Sequence, residues 1–406
     1  MKTLFLLALR NLFRNKRRTA ITFMAIISGM TGIVVFGGFV QFTYQGLRES
    51  TIRTQLGHIQ IYKKGYSDKG VAEPSKYLIE NPEKVIKTLF QIPNITMITS
   101  RLTFSGLIST GEKTLIFKGI GVDIAQEGEM SDFETIVAGE PLEPEMTDGG
   151  VVGVELMKGL GAKVGDHLTV MTTTMDGVIN ALDFKVVGVA QTGAQDYDSV
   201  FVKLPINLVR KLLDTQFTEK IIVLFNDTAM VEKAISFIAS ITKQGGLEYR
   251  LWSDLAFFYH KVVGLYDGIF SVIQVIIGVI VLLSIANTMT MSVFERVKEI
   301  GTLRAMGTTK GRIMKLFIIE GLLIGLIGGI IGIVVGIVTA YTINISGGIS
   351  ISPPPGMSRG YTALILIVPE ILLQSFLSIV LVSTLSSLYP AYKASQLKVV
   401  EALQHI

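Results

Sequence analysis

The segment VFERVKEIGTLRAMGTTKGR, residues 293–312, is charged and lies between two long apolar stretches. Residues 269–292 contain no charged side chain, and residues 316–345 contain only Glu320. Each stretch is longer than the roughly 20 residues that cross the hydrocarbon core of a bilayer. We therefore expect this charged segment to be a water-facing turn between two membrane helices, with residues 293–306 continuing the first of them.

The charge of this region predicts the side of the membrane on which it lies. Two anions, Glu295 and Glu299, are outnumbered by six cations. The cations are Arg296, Lys298, Arg304, Lys310, Arg312 and Lys315. Short loops that are rich in Lys and Arg remain in the cytoplasm, so we place the charged segment and both chain termini there. Glu320 is expected to reach the interface or to pair with a neighbouring Arg.

The composition divides the chain into a membrane part and a water-soluble part. Hydrophobic residues make up 49% of the 406 residues, charged residues make up 17%, and the mean hydropathy is +0.52. Residues 45–264 contain 22 Lys and Arg against 27 Asp and Glu, a net charge of −5, whereas the rest of the chain has 15 against 6, a net charge of +9. Basic residues therefore flank the membrane segments, and the pI near 9.0 does not indicate nucleic-acid binding.

Apolar stretches predict four membrane helices. Residues 1–18 combine an apolar face with a basic face, which is typical of a helix in the cytoplasmic interface. The apolar stretch at residues 19–45 is longer than the core of a signal peptide and predicts the first membrane helix. The other predicted segments are membrane helices at 267–293, 313–345 and 369–388, a cytoplasmic segment at 294–312, an external loop at 346–368 and a cytoplasmic tail at 389–406.

Residues 46–266 alternate between strand-like and helix-like patterns. Strands are predicted from His58, Met97, Lys113, His167, Asp183, Ser199 and Lys220, and helices from Pro82, Gly153, Pro205 and Asp227. We expect an α+β domain of two subdomains, with the distal part at about residues 100–200. The predicted fold class is thus an α-helical membrane protein with four transmembrane helices and a large extracytoplasmic α+β domain inserted between the first two.

Six glycines in the third predicted membrane helix form two interleaved series with four-residue spacing. They are Gly321, Gly325, Gly328, Gly329, Gly332 and Gly336. Small residues at this spacing allow helix backbones to approach closely in a membrane, so the glycines predict helix packing. The alternative is a loosely packed apolar helix.

Motifs for catalysis, nucleotide binding and metal binding are missing from the sequence. The phosphate-binding loop GxxxxGK[ST], the HExxH metal motif and the nucleophile elbow do not occur, and the four histidines are scattered. Because the chain has no Cys, it has no disulfide and no thiolate metal site. We therefore predict no catalytic residue, no metal site and no bound cofactor, and we expect any ATPase activity to lie in a partner chain.

Four stretches of sequence carry a resemblance to a known family. EIGTLRAMG at residues 299–307 follows the second predicted membrane helix, and SLYPAYKASQLKVVEAL at 387–403 follows the fourth. These motifs, with NLFRNKRRTAIT at 11–22 and GVELMKGLGAKVGDHLTV at 153–170, resemble the FtsX, MacB and LolC/LolE group of ABC transporter permeases. The tail departs from the group's Arg-rich pattern, and Val399 replaces its Pro.

The resemblance implies a transport complex. Its expected partners are two cytoplasmic ATPase subunits that bind ATP and Mg, a second permease chain in a homodimer or heterodimer, and membrane lipids. The layout is most similar to a LolC/LolE-type permease, which implies extraction of lipoproteins or lipids from the outer leaflet of the inner membrane. The alternatives are MacB-like mechanotransmission through a periplasmic adaptor and an outer-membrane duct, and a scaffold that regulates an external hydrolase.

Two groups of residues are candidates for this function. The resemblance implies an ATPase-coupling role for Glu295, Arg296, Lys298, Glu299, Gly301, Arg304 and Gly307. A solvated turn with no partner is the alternative for these residues. Apolar residues near the external ends of the first two membrane helices are candidates for a substrate cleft, with contact to lipid or ordinary helix packing as the alternative. They are Phe39, Val40, Phe42, Ile269, Phe270 and Ile273.

Overall fold

The computed structural model describes residues 2–12, 14, 16–70, 73–131, 134–192, 195–352 and 360–399. The chain forms two units. The helical unit consists of Met1–Gln45, Val262–Ile351 and Thr362–Ile406, and the sheet domain consists of Gly46–Lys261 with Ser352–Tyr361.

The α-helices of the described residues, numbered in chain order, differ widely in length. They are α1 (Lys2–Leu12), α2 (Lys16–Thr51), α3 (Pro82–Leu89), α4 (Gly128–Ser131), α5 (Val154–Leu160), α6 (Gln195–Asp198), α7 (Ile206–Leu213), α8 (Ala229–Gln244), α9 (Trp252–Leu255), α10 (Phe257–Glu295), α11 (Val297–Ala305), α12 (Lys310–Ile345) and α13 (Pro369–Ser395). Among them, α2, α10, α12 and α13 are long and apolar enough to cross a membrane.

The strands are numbered in the same way. They are β1 (Ile59–Lys63), β2 (Ile95–Ser109), β3 (Thr114–Val122), β4 (Thr135–Gly139), β5 (Gly149–Gly153), β6 (His167–Thr173), β7 (Ile179–Gln191), β8 (Phe201–Pro205), β9 (Lys220–Phe225), β10 (Leu247–Leu251), β11 (Ile349–Ile351) and β12 (Tyr361–Ala363). The predicted fold class, four membrane helices with an α+β domain between the first and the second, is confirmed.

The four membrane helices are longer than the predicted spans. The first predicted span, 19–45, lies inside α2, and the span 267–293 lies inside α10. Since about 20 helical residues cross the hydrocarbon core, each of the four helices is long enough to span it. α13 begins at Pro369, as the sequence predicted, because proline is compatible with the first turn of a helix.

The two glycine series of α12 contact two different helices. Gly321 and Gly325 lie against Ser387 and Ser383 of α13, where an added Cβ would overlap these side chains. In the same series, Gly329 faces the ring of Phe376. Small residues thus allow the backbones of α12 and α13 to approach closely.

The second series packs on α2. A Cβ at Gly328 would lie 2.8 Å from Ile26, and one at Gly332 would lie 2.6 Å from Met30. Gly336 faces Val34, which is one helical turn further along α2. Because the two series lie on different faces of α12, this helix packs between α2 and α13 in the core of the helical unit.

The sheet domain contains a ten-stranded mixed sheet. Its strand order is β10-β1-β9-β2-β3-β8-β5-β7-β4, and β6 pairs with β2 and β7. The strand β2 is 15 residues long and takes part in two hydrophobic cores. One core packs α3 and α8 on the part of the sheet around Ile98 and Phe225. The other packs α5 and α7 around Leu102 and Phe184, so the domain has two parts that share one sheet.

Candidate functional site

The charged segment folds as a short helix between two breaks. α10 ends at Glu295, and α11 begins at Val297. Val297 and Ile300 are buried on the inner face of α11. After α11, Gly307 adopts a positive φ of 90°, and its N–H donates to the carbonyl of Arg304. This left-handed cap favours glycine and turns the chain towards α12.

The expectation that residues 293–306 continue the second membrane helix is wrong. The helix is interrupted at Arg296, whose φ is −111°. The side chain of Arg296 turns inward, where Nη1 donates to Oε1 of Glu320 at 2.9 Å and Nη2 donates to the carbonyl of Asn11 at 3.2 Å. These contacts to α12 and α1 stabilise the break, and they could not be read from the local sequence.

Arg296, Glu320 and Asn11 form a buried polar cluster. Arg296 is 7% exposed and Glu320 is 2% exposed. The amide of Asn11 also donates to Glu320, at 2.5 Å. Isolated charges are costly in such a place, and here each charge has a partner. Of the two roles expected for Glu320, the structure shows the pairing with Arg. It also places Arg296 in the interior and not on a docking surface.

Two further ion pairs join the charged segment to the chain that follows α1. Glu295 accepts from Arg18 at 2.6 Å, and Glu299 accepts from Arg14. The carboxylates proposed to contact an ATPase therefore bind cations of the same chain. Lys298 remains exposed. The exposed surface of the segment also includes Met306, with 71% of its area accessible, which was not among the predicted site residues.

The cleft candidates of the helical unit lie along α2 and α10. The ring of Phe36 stacks on Phe270 with 5.9 Å between the ring centroids, and it lies 6.1 Å from Phe39. Ile269 is exposed. Val40 is only 4% exposed, so it packs in the interior and does not line an open cleft. Phe42 and Ile273 are half-buried.

A groove of about 440 Å³ opens between α2, α10 and α13, and we call it the intramembrane groove. Its lining includes Ile33, Gln274, Val275, Ser375 and Ile379. Ser375 is 1% exposed, and its Oγ has no hydrogen-bond partner among the described residues. This groove was not among the predicted sites. Because its lining comes from three helices that are far apart in the sequence, no local pattern indicates it.

The site contains no arrangement for metal chemistry in the part of the chain that the structure describes. No group of three or more His, Asp and Glu side chains there could hold a metal ion. The geometry instead provides a charged, structured turn at one end of the helices and an apolar groove along them.

Both parts of the chain match known protein families. Residues 19–241 match the MacB-like periplasmic core domain, and residues 271–399 match the FtsX-like permease C-terminal family. The lipoprotein-releasing system transmembrane protein LolC of Neisseria meningitidis is 24% identical over 337 residues, which are 78% of this chain and 76% of LolC. The uncharacterized ABC transporter permease YknZ of Bacillus subtilis is 23% identical over 413 residues and matches 98% of both chains.

The name of a third relative includes ATP binding and export in addition to the permease. The pyoverdine export ATP-binding/permease protein PvdT of Pseudomonas aeruginosa is 24% identical over 346 residues, or 78% of this chain. The chain spans about half the length of PvdT, 48%. Because the MacB-like match alone covers more than half of the chain and the FtsX-like match follows it, the chain belongs to the FtsX and MacB group of ABC transporter permeases.

Proposed function

We propose that this multi-pass permease extracts lipoproteins or lipids from the outer leaflet of the inner membrane. In this proposal, two ATPase subunits bind ATP and Mg in the cytoplasm and dock on the charged segment. The sheet domain lies on the opposite side of the membrane, and a second permease chain completes the complex. This chain has no catalytic role and transmits the motion that ATP hydrolysis drives.

The intramembrane groove is the observation that carries the proposal. Burying one methylene in an apolar environment contributes about 0.8 kcal/mol. An acyl chain therefore leaves the lipid only if the protein provides an apolar surface that replaces it. The groove is lined mainly by aliphatic side chains of α10 and α13. Its residues 375–382 lie in the first half of α13, and its residues 271–282 lie mostly in the first half of the predicted span 267–293. These halves face the outer leaflet in the proposed orientation. The likeness to LolC supports the same substrate class.

The proposal is tested by placing a charge in the groove or at Phe39, which is one of the cleft candidates. We expect Val275→Glu and Phe39→Glu to abolish co-purification of lipoprotein with the complex while the ATPase subunits remain bound. Val338→Glu is a suitable control, since Val338 is exposed on α12 and does not line the groove. If Val275→Glu and Phe39→Glu keep full cargo binding, or Val338→Glu loses it equally, the groove is not the extraction site.

The second candidate function is MacB-like mechanotransmission, in which nothing crosses the bilayer through this chain. The likeness to PvdT, whose name describes export, favours it. Here an external adaptor binds the sheet domain, and the groove contacts only lipid. Retention of transport by Val275→Glu, together with loss of transport and adaptor binding when the distal part of the sheet domain is deleted, would favour this function over lipid extraction.

A further inference from the structure

A buried arginine joins three parts of the sheet domain. After α2, the chain forms a π-helical turn, Ile52–Leu56, which ends at Gly57 with a positive φ of 65°. The Nη1 of Arg101 donates to the carbonyl of Gln55 in this turn at 3.1 Å. π-Helical turns leave backbone groups without regular partners and are frequent at functional sites. Arg101 thus holds a turn that lies directly after the first membrane helix in the chain.

Arg101 also occupies the point at which β2 changes partners. On one side, the β2 residues up to Arg101 pair with β9, ending at Lys220. On the other side, the pairing with β3 begins at Arg101, opposite Val122. The carbonyl of Arg101 accepts a hydrogen bond from Thr218 at 3.0 Å. Its backbone is therefore fixed where the two parts of the sheet domain meet.

The rest of the guanidinium binds the segment after β3. Nη2 donates to the carboxylate of Glu127 and lies 3.5 Å from Sδ of Met130. Arg101 is 3% exposed and Glu127 is 1% exposed. Burial lowers the pKa of Arg101 to about 10, so the side chain stays charged at neutral pH. A buried charged pair contributes little net stability compared with an apolar pair of the same size. The guanidinium instead links two separate segments, the turn at Gln55 and the segment that contains Glu127 and Met130, which indicates a role other than stability.

We propose that Arg101 is a positioning residue that transmits displacement of the turn Ile52–Leu56 to the segment 124–131 and the distal part of the sheet domain. This proposal rests on the proposed function, because the displacement is driven by the ATPase. Arg101 is suited to it since one planar guanidinium, with its donors in a fixed fork geometry, binds the turn and Glu127 at the same time.

The same domain provides a matched control. Lys203 and Glu134 form a second buried ion pair, 3.2 Å apart, with side-chain exposures of 6% and 8%. This pair lines a cavity of about 60 Å³ together with Glu127, so it lies close to Arg101. Lys203 donates to both carboxylate oxygens of Glu134, at 3.3 and 3.2 Å. Loss of this pair should cost stability, and we expect it to leave the link from the turn Ile52–Leu56 through Arg101 intact.

Hydrogen exchange on the full complex with its ATPase tests the proposal. In the wild type, addition of ATP and vanadate should change deuterium uptake at residues 52–57 and at residues 124–131. In Arg101→Lys, we expect the change at 52–57 to remain and the change at 124–131 to be lost, because an ammonium keeps the pair with Glu127 but does not reach both partners. Lys203→Met should keep both changes, and Arg101→Met is the second test variant.

The outcomes distinguish failure of the Arg101 proposal from failure of the proposed function. If Arg101→Lys and Arg101→Met both keep the wild-type change at 124–131, the proposal is wrong and the proposed function stands. If Lys203→Met loses this change as fully as the Arg101 variants do, Arg101 has only a structural role. If the wild type shows no nucleotide-dependent change at either segment, the proposed function fails, and the proposal fails with it.

Discussion

His58 shows how burial fixes the protonation state of a side chain in the sheet domain. It is 1% exposed, and its Nδ1 accepts a hydrogen bond from the N–H of Phe225 at 3.1 Å. Burial lowers the pKa of His58 from 6.5 to about 4, with the nearby charges having smaller effects. These charges are Glu49, Arg53, Arg48 and Asp227. The folded domain therefore requires neutral His58.

This requirement predicts a pH dependence. The unfolded chain binds a proton at His58 below about pH 6.5 and the folded chain does not, so stability is present above pH 6.5 and is lost as pH falls towards 4. We expect His58→Asn, whose amide oxygen can accept from Phe225, to make the unfolding temperature less dependent on pH in this range. His167→Asn, at an exposed position, is the control. An unchanged pH dependence in His58→Asn would contradict this assignment.

The ion pairs of the charged segment predict stability effects of different size. Removing one partner of the buried pair, as in Arg296→Met, leaves Glu320 uncompensated and should cost about 3–5 kcal/mol. The double variant Arg296→Met with Glu320→Met should recover much of this loss. Arg14→Ala removes an exposed pair, with side chains 56% and 48% exposed, and should cost about 0–1 kcal/mol. Thermal unfolding of the purified chain in detergent measures each value, and equal losses from Arg296→Met and Arg14→Ala would contradict the structure.

At the scale of elements, the glycine contacts of α12 predict which substitutions the membrane helices tolerate. Gly325→Ala and Gly332→Ala each place a methyl group against a neighbouring helix and should destabilise by about 1–3 kcal/mol. Gly278→Ala in α10 meets no atom within 4 Å and should be neutral or slightly stabilising. Thermal unfolding in detergent compares the three variants. Equal tolerance of all three would show that α12 does not pack as described.

The role of Glu299 can be decided by exchanging two charges. Glu299→Arg alone places two cations together and should weaken coupling of ATP hydrolysis to transport. The double variant Arg14→Glu with Glu299→Arg restores an ion pair within the chain. If Glu299 acts by holding the segment after α1, the double variant should recover transport per ATP hydrolysed. If it contacts the ATPase directly, the double variant should stay as defective as Glu299→Arg.

The sequence predicted those elements whose signal is local. The membrane helices were predictable because their apolar stretches are longer than those that a soluble helix needs. The long strands were predictable because apolar and polar residues alternate along them. The break at Arg296 was not predictable, since it depends on a contact with Glu320 in another helix. The strand β5, sequence GGVVG, was missed because glycines indicate turns, whereas Gly150 and Gly153 here allow Phe184 and the backbone of Asp198 to approach.

For the whole molecule, the same distinction applies to the candidate sites. The charged segment was predictable from its position between two apolar stretches, but not its ion pairs to Arg14 and Arg18. The intramembrane groove is formed by α2, α10 and α13, which are far apart in the sequence, so no local pattern revealed it. Arg101 lies in a predicted strand, and no local pattern in the sequence indicates its contacts with Gln55 and Glu127.

The proposed function requires that the charged segment faces the cytoplasmic ATPase and that the sheet domain lies on the other side of the membrane. Because the chain has no Cys, single cysteines at Met306 and Glu112 report on these two sides directly. With a membrane-impermeant maleimide on intact cells whose outer membrane has been permeabilised, Glu112→Cys should be labelled, and Met306→Cys should be labelled only after the inner membrane is opened. Labelling of Met306→Cys before the inner membrane is opened, with Glu112→Cys protected, would contradict the proposed topology.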